Sequence, residues 1–224
     1  MEHWEAHFKF YDLFQMNYSK YRFMLDFHRK ALKRSFLILD SGAGTGNLTL
    51  ELLKEKHQVV AIDNNEPALK ILLGKCKLYK DNLQIIRQDL TNKLEFKDNS
   101  FEGISSSFVI PFVQNIKFYL SENYRVLKNN GIFSISMGLP KKEVMKYIMD
   151  NSEKEAENAE LIPKYKQQWD KLWETSKVNE KLIMNAAISE KEIIRMLKQQ
   201  RFKDIKKADE DPYERYVLLL TCRK

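Results

Sequence analysis

The run Phe36-Leu-Ile-Leu-Asp40-Ser-Gly42-Ala-Gly44-Thr-Gly46-Asn47 constrains this chain more than any other stretch. Its four apolar residues, bounded by turn residues, are too few for a helix and read as a strand buried on both faces. Glycines then stand at every second position. They let the backbone turn sharply and come close to a ligand, because glycine adopts positive φ and carries no Cβ. Asn47 to Lys54, with Leu48, Leu50, Leu52 and Leu53, resumes as a helix. Strand, glycine turn and helix in this order make a nucleotide-binding unit of an α/β fold.

Spacing selects among such units. The dinucleotide fingerprint G-x-G-x-x-G places its third glycine three positions after the second. Started at Gly42, that place holds Asn47, and started at Gly44 it holds Thr49. A P-loop also fails, since no Gly-Lys-Ser/Thr follows the turn. What remains, Asp-x-Gly-x-Gly-x-Gly, resembles the first motif of class I S-adenosylmethionine-dependent methyltransferases. The resemblance implies a Rossmann-like, doubly wound α/β fold with a mostly parallel seven-stranded sheet, an antiparallel C-terminal strand pair and a helical lid. It also implies S-adenosylmethionine as cofactor and S-adenosylhomocysteine as product. That cofactor is a cation without phosphate, and a carboxylate at Asp40 suits its ammonium better than a pyrophosphate. On this reading Asp40, Gly42, Ala43 and Gly44 border the cofactor.

At 224 residues the chain is long enough for one domain with a substantial core. We expect four parts: an N-terminal helical cap over 1–34, a cofactor-binding core over 35–138, a helical insertion or lid over 139–188, and a closing helix and strand pair over 189–224. No run reaches the length of a membrane span and no cleavable leader is apparent, so a cytoplasmic protein is expected. Cys76 and Cys222 lie far apart in apolar surroundings without a C-x-x-C partner, and read as reduced core residues rather than zinc ligands. The formal charge of +7 is spread along the chain and not gathered into a phosphate-binding face, which weighs against nucleic acid. Nothing here sets an oligomeric state.

Within 1–34, Trp4, Phe8, Tyr11 and Phe14 fall at helical spacing, as do Met24, Phe27, His28 and Ala31, so two amphipathic helices are expected. Phe10-Tyr11-Asp12-Leu13-Phe14, followed by Tyr18 and Tyr21, resembles the segment that precedes the core in ubiquinone-biosynthesis-like methyltransferases. There it closes over the cofactor, which would bring Tyr11 and Tyr18 to it. Core packing is the plainer reading of the same faces.

Gln58 to Ile62 reads as the second buried strand and ends at Asp63, 17 positions after Gly46. A carboxylate at this place can accept both hydroxyls of a ribose. Asp63 and Asn64 are therefore cofactor candidates, although the following Asn-Glu-Pro also suits a helix cap. A helix from Pro67 to about Cys76 leads to a third strand, Leu83 to Arg87, which ends at Gln88-Asp89-Leu90. In the resembled family an acid at this place bonds the adenine amine and the next amide reaches a ring nitrogen, which assigns Asp89 and Leu90. Phe101 to Phe108 contains the fourth strand. The resemblance puts Ser106 beside the methionine part of the cofactor and makes Glu102 a structural acid where relatives have aspartate.

Beyond it, Pro111 and Phe112 stand where many relatives carry histidine, which makes an apolar pocket floor and offers no proton acceptor. No Asn/Asp-Pro-Pro-aromatic tetrapeptide is present either, which disfavours methylation of a base amine. Ile116 to Leu127 reads as a helix ended by Lys128-Asn-Asn-Gly131, and Ile132 to Ser136 as the fifth strand. Tyr165, Trp169, Leu172 and Trp173 form a helical stripe in the insertion, and Phe112, Tyr165 and Trp169 are candidates to touch the acceptor. Ser189-Glu-Lys-Glu192 has capping-box form and starts the last helix. Arg201 to Ile205 and Tyr213 to Leu220 read as the closing strands.

The sequence thus points to methyl transfer onto a small-molecule acceptor by in-line displacement. Methylation of RNA or protein, or a non-catalytic cofactor-binding subunit, are the alternatives. His3, His7, His28 and His57 fall outside the expected crevice, and no catalytic residue is assigned.

Overall fold

The computed structural model describes residues 2–141, 143–175 and 188–224. Two helices, α1 (Glu2–Asn17) and α2 (Ser19–Leu32), precede β1 (Leu37–Ser41), α3 (Asn47–Lys54), β2 (Gln58–Asp63), α4 (Glu66–Lys75), β3 (Leu83–Arg87) and β4 (Phe101–Ser107). Then come α5 (Ile116–Val126), β5 (Leu127–Gly138), α6 (Val144–Asn158), α7 (Leu161–Lys164), a helix over 166–175 that we label α8, α9 (Glu190–Gln199), β6 (Lys203–Lys207) and β7 (Val217–Arg223). The sheet has the order β3-β2-β1-β4-β5-β7-β6. The β1, β2, β3, β4 and β5 pairings are parallel, and β7 runs antiparallel to both of its neighbours. This is the doubly wound, seven-stranded sheet expected from the sequence.

The central strands are buried because both their faces are covered. Residues 38–41 of β1 and 59–62 of β2 are buried. The outer strand β6 instead reads Lys-Asp-Ile-Lys-Lys and is exposed except at Ile205, so its charges guard a free sheet edge. Strand order reverses between β1 and β4, and a doubly wound sheet opens its ligand crevice at the carboxyl ends of the strands there. The glycine turn leaves β1 at that place.

Three apolar clusters hold the chain. One face of the sheet buries Leu39, Ile104, Phe133 and Leu220 with Leu120, Ile193 and Leu197 of α5 and α9. The other buries Ile38, Val59 and Leu219 with Met24, Leu52 and Leu72 of α2, α3 and α4. The third is separate from the sheet. It gathers Phe14 of α1, Met149 and Ala156 of α6, Ile162 of α7, and Trp169 and Leu172 of α8. Cys76 and Cys222 are buried and free, as expected. Ser189 caps α9 by accepting from the Glu192 amide at 3.2 Å.

Several boundaries differ from the expectation. β1 starts at Leu37 and continues through Asp40 to Ser41, leaving Phe36 64% exposed. The break expected at Lys128-Asn-Asn-Gly131 lies inside β5, which begins at Leu127 by pairing with Phe101. β6 and β7 each begin later than expected. Tyr213 falls in a turn in which the Asp211 carboxylate accepts from the Arg215 amide at 2.9 Å, and Glu214 and Arg215 take positive φ. Asp211-Pro212 was the local signal for that turn. Residues 176–187 of the expected insertion lie outside the described residues.

His28 of α2 is fully buried against β5, where its Nδ1 bonds the Ser134 hydroxyl at 2.8 Å. Burial pushes its imidazole down to about 3. Below the ordinary value of about 6.5 the unfolded chain takes up a proton that the folded chain refuses, so stability falls as pH falls from 6.5 towards 3, by about 1.4 kcal/mol per pH unit at most. Urea unfolding near pH 7 and pH 5 is expected to give a steeper acid loss for the wild type than for His28→Leu. Coincident slopes would mean that this imidazole is not held neutral.

Candidate functional site

The three glycines of the turn meet two different requirements. Gly42 has φ +83°, and a Cβ there would come within 2.3 Å of Val109 Cγ2. Gly46 has φ +80° and a Cβ there would meet Leu72 Cγ at 2.4 Å. These two glycines admit close packing. Gly44, at φ +53°, faces open space, so only its conformation demands glycine. The turn is pinned to β2, whose Ile62 carbonyl accepts from the Gly42 and Ala43 amides at 2.9 and 3.0 Å.

Asp63, half-buried at the carboxyl end of β2, accepts from the Gly44 amide through Oδ2 at 2.9 Å and from the Asn65 amide through Oδ1 at 2.8 Å. Each oxygen keeps a lone pair free to accept from a ligand. The cap of α4 is Asn65, whose side chain accepts from the Ala68 amide, so Asp63 is released from that duty. Asp89 is exposed, and its Oδ1 accepts from both the amide and the hydroxyl of Thr91 at 2.8 Å.

Between this edge and the helices lies a cavity of about 630 Å³. Gly42, Gly44, Asp63, Asn64, Asp89 and Leu90 border it on the sheet side, and Tyr11 and Tyr18 on the other. Phe112 and Trp169 also line it. The structure thus brings most of the candidate residues to one crevice.

Four candidates stand elsewhere. Asp40 is buried under the turn, where its carboxylate accepts from Thr49 Oγ1 at 2.6 Å and Ser105 Oγ at 2.8 Å. Burial pushes its carboxyl up, and the two hydroxyls oppose that shift. It braces the turn from below and does not line the cavity. Ala43 contributes an amide to β2 and a carbonyl to the Gly46 amide, but does not line the cavity. Ser106 points the other way, accepting from the buried Tyr119 hydroxyl at 2.9 Å; strand alternation puts Ser107 on the cavity wall instead. Tyr165 packs at a tilt against Phe10 with ring centres 5.2 Å apart, outside the wall. Glu102 is structural, as expected, accepting from the Phe36 amide at 2.5 Å.

Other residues reach the site without having been singled out. Asp12 of α1 accepts from Thr45 Oγ1 at 2.5 Å, Asn47 Nδ2 at 3.0 Å and Lys75 Nζ at 2.6 Å, latching the first helix onto the glycine turn and α4. Tyr21 accepts from Asn47 Nδ2 at 3.1 Å. Met145, Ile148 and Met149 of α6 and Tyr213 complete the wall. The tyrosine-aspartate pair at 11–12 was the available signal for the latch. Nothing local announced Lys75, because its role is set by the way α4 lies beside α1.

Among the described residues lining the cavity, the charged side chains are Asp63 and Asp89, with no histidine, lysine or arginine. Both acids stand at the carboxyl edge of the sheet. A cavity of this sign repels phosphate and carboxylate ligands and favours a cation. No group of side chains able to hold a metal ion occurs among the described residues, and none of their helices is long and apolar enough to cross a membrane.

Residues 39–135 match a protein family described as a methyltransferase domain. The chain is 37% identical over 95 residues to the demethylmenaquinone methyltransferase of Tropheryma whipplei strain Twist, covering 42% of this chain and 38% of that protein. It is 28% identical over 116 residues to the carboxy-S-adenosyl-L-methionine synthase of Nautilia profundicola, covering 50% of this chain and 48% of that protein. The matched stretch is therefore less than half of either relative. Among solved structures, a SAM-dependent methyltransferase of Thermotoga maritima, described as a possible histamine N-methyltransferase, superposes with a TM-score of 0.61 at 17% identity, covering 98% of this chain and 97% of that one. The 1,6-didemethyltoxoflavin-N1-methyltransferase of Burkholderia thailandensis, bound to its substrate and S-adenosylhomocysteine, gives 0.61 at 15% identity, with 98% and 87% covered. These structures share the fold.

Proposed function

We propose that this chain, whose core belongs to the class I S-adenosylmethionine-dependent methyltransferases, moves a methyl group to a neutral, largely apolar small molecule held between the glycine turn and the helical cap. The observation that carries the reading is the distribution of charge in the cavity: two acids at the sheet edge, and uncharged side chains, mostly aromatic and aliphatic, elsewhere. The cofactor is S-adenosylmethionine. The residues present fit it: the open face at Gly44 gives it room, and Asp63 offers a carboxylate already oriented by two backbone amides.

Bound there, the cofactor supplies a sulfonium methyl that is already an activated electrophile. Asp63 accepts from the ribose hydroxyls, Asp89 from the adenine amine, and the Leu90 amide donates to the ring. Tyr11 closes the crevice from α1, whose position is held by the Asp12 latch. The cap, through Phe14, Met149 and Trp169, excludes water and aligns the acceptor. Alignment for in-line attack can lower a barrier by about 7–11 kcal/mol without any acid or base. No histidine stands among the described wall residues, and no catalytic base is assigned. An apolar floor at Pro111 and Phe112 favours a flat or hydrophobic molecule over an RNA strand. A cytoplasmic location belongs to the same reading.

Calorimetry with S-adenosylmethionine, S-adenosylhomocysteine and a nicotinamide dinucleotide tests the cofactor. The first two are expected to bind and the third is not, and tighter binding of the dinucleotide would overturn the assignment. Incubation with methyl-labelled cofactor and a metabolite extract, followed by mass analysis, identifies the acceptor. A labelled product carrying a phosphate or an RNA fragment would contradict a neutral acceptor.

A further inference from the structure

The methionine part of the proposed cofactor carries a carboxylate as well as an ammonium and the sulfonium. Among the described residues, the cavity wall holds two acids and no lysine, arginine or histidine to receive that carboxylate. A neutral donor is needed instead, and the hydrogen bonds around Asn47 leave one unspent.

Asn47, the first residue of α3, is held in one orientation. Its Oδ1 accepts from Lys75 Nζ, a group that only donates, and its Nδ2 donates at 3.0 Å to the Asp12 carboxylate, which only accepts. The same Nδ2 stands 3.1 Å from the Tyr21 hydroxyl, so the phenol oxygen is the acceptor of that bond. The phenol proton is not consumed there, and no acceptor among the described residues takes it. Burial, with Tyr11 beside it, holds this phenol well above its ordinary range; the Asn47 bond opposes the shift and the charges of Asp12 and Asp40 add to it. The proton therefore stays in place as a donor.

Tyr21 is half-buried and lines the cavity, and its bond to Asn47 fixes the hydroxyl just past the glycine turn. The sheet edge runs β3-β2-β1, with Asp89 just beyond β3, Asp63 at the end of β2 and the glycine turn at the end of β1. With adenine at Asp89 and ribose at Asp63, the methionine part continues over β1, where the Tyr21 hydroxyl stands.

We infer that Tyr21 of α2 donates a hydrogen bond to the carboxylate of the cofactor's methionine part. This rests on the proposed function and adds to its cofactor site a residue that the sequence did not single out. A hydrogen bond from a neutral phenol to a carboxylate is charge-assisted, and it sets no positive charge beside the sulfonium.

The test uses the full chain and titrates S-adenosylhomocysteine beside its decarboxylated analogue, which keeps the adenosine, the thioether and the amine. In Tyr21→Phe the dissociation constant of S-adenosylhomocysteine is expected to rise at least about tenfold, the value of a hydrogen bond to a charged group, while the analogue binds as it does to wild type. Asp12 still holds Asn47 in this variant, so the turn keeps its anchor. A residue that only braced Asn47 would weaken both ligands alike, and equal losses would overturn the inference, as would unchanged binding of S-adenosylhomocysteine. Failure of wild type to bind S-adenosylhomocysteine would instead overturn the methyltransferase reading on which it stands.

Discussion

Asp63→Ala is expected to weaken S-adenosylhomocysteine binding by at least about a hundredfold, because hydrogen bonds to a charged acceptor are worth about 1.5–3 kcal/mol each and two ribose hydroxyls are at stake. The loss has a second source. Asp63 accepts from the Gly44 and Asn65 amides, so its removal also frees the turn that approaches the ligand. Asp89→Ala is expected to cost less, about tenfold, since Asp89 is exposed and one of its oxygens is shared with Thr91. Calorimetry on both variants, with circular dichroism to verify the fold, decides the order. Asp63→Asn separates the two sources: it retains an acceptor for the Gly44 amide and should fall between wild type and alanine. Equal or reversed losses for the two alanine variants would mean that the ends of β2 and β3 have been given the wrong partners.

Trp169→Ala is expected to cost about 3–5 kcal/mol of stability, the usual range for truncating a large buried aromatic. Trp169 is 1% exposed, meets Phe14 edge-on at 4.8 Å and donates from Nε1 to Glu153 at 3.1 Å. The sequence had left it between core residue and lid residue. The structure gives it a part in each, because the cluster it centres on joins α1, α6, α7 and α8 apart from the sheet. The destabilisation should therefore be local. Amide exchange should accelerate in residues 2–17 and 144–175, while the protection of β1, β2 and β4 and the affinity for S-adenosylhomocysteine change little. Uniform loss of protection across the sheet would make the cap one cooperative unit with the core.

The cofactor side of the site was legible because its geometry is local. A strand, a glycine turn and an acid at the next strand end lie within 28 residues, 36 to 63, and the parallel pairing of β1 with β2 is enough to bring Asp63 to Gly44. Asp40 and Ser106 lie off the cavity wall for a related reason. A strand end is readable from the pattern, but which of two alternating faces meets the ligand depends on the layer packed against each face. Asp40 is taken by Thr49 and Ser105, and Ser106 by Tyr119. Tyr213 was assigned to a strand together with the apolar run that ends at Leu220, and the Asp211 turn overrode that assignment.

The sequence by itself placed the strands along the chain and the glycine turn, because these follow from short apolar runs and turn residues, and the glycine motif's resemblance implied the seven-stranded sheet; the strand order came from the structure. The sequence also put Asp63 and Asp89 at strand ends, and both border the crevice. Tertiary structure alone decided the other wall. The Asp12 latch spans 63 positions to Lys75, and Tyr18 meets Tyr213 from the far end of the chain. Such pairs have no period and no fixed spacing. They exist because α1, α6 and the turn before β7 converge over the carboxyl edge of the sheet.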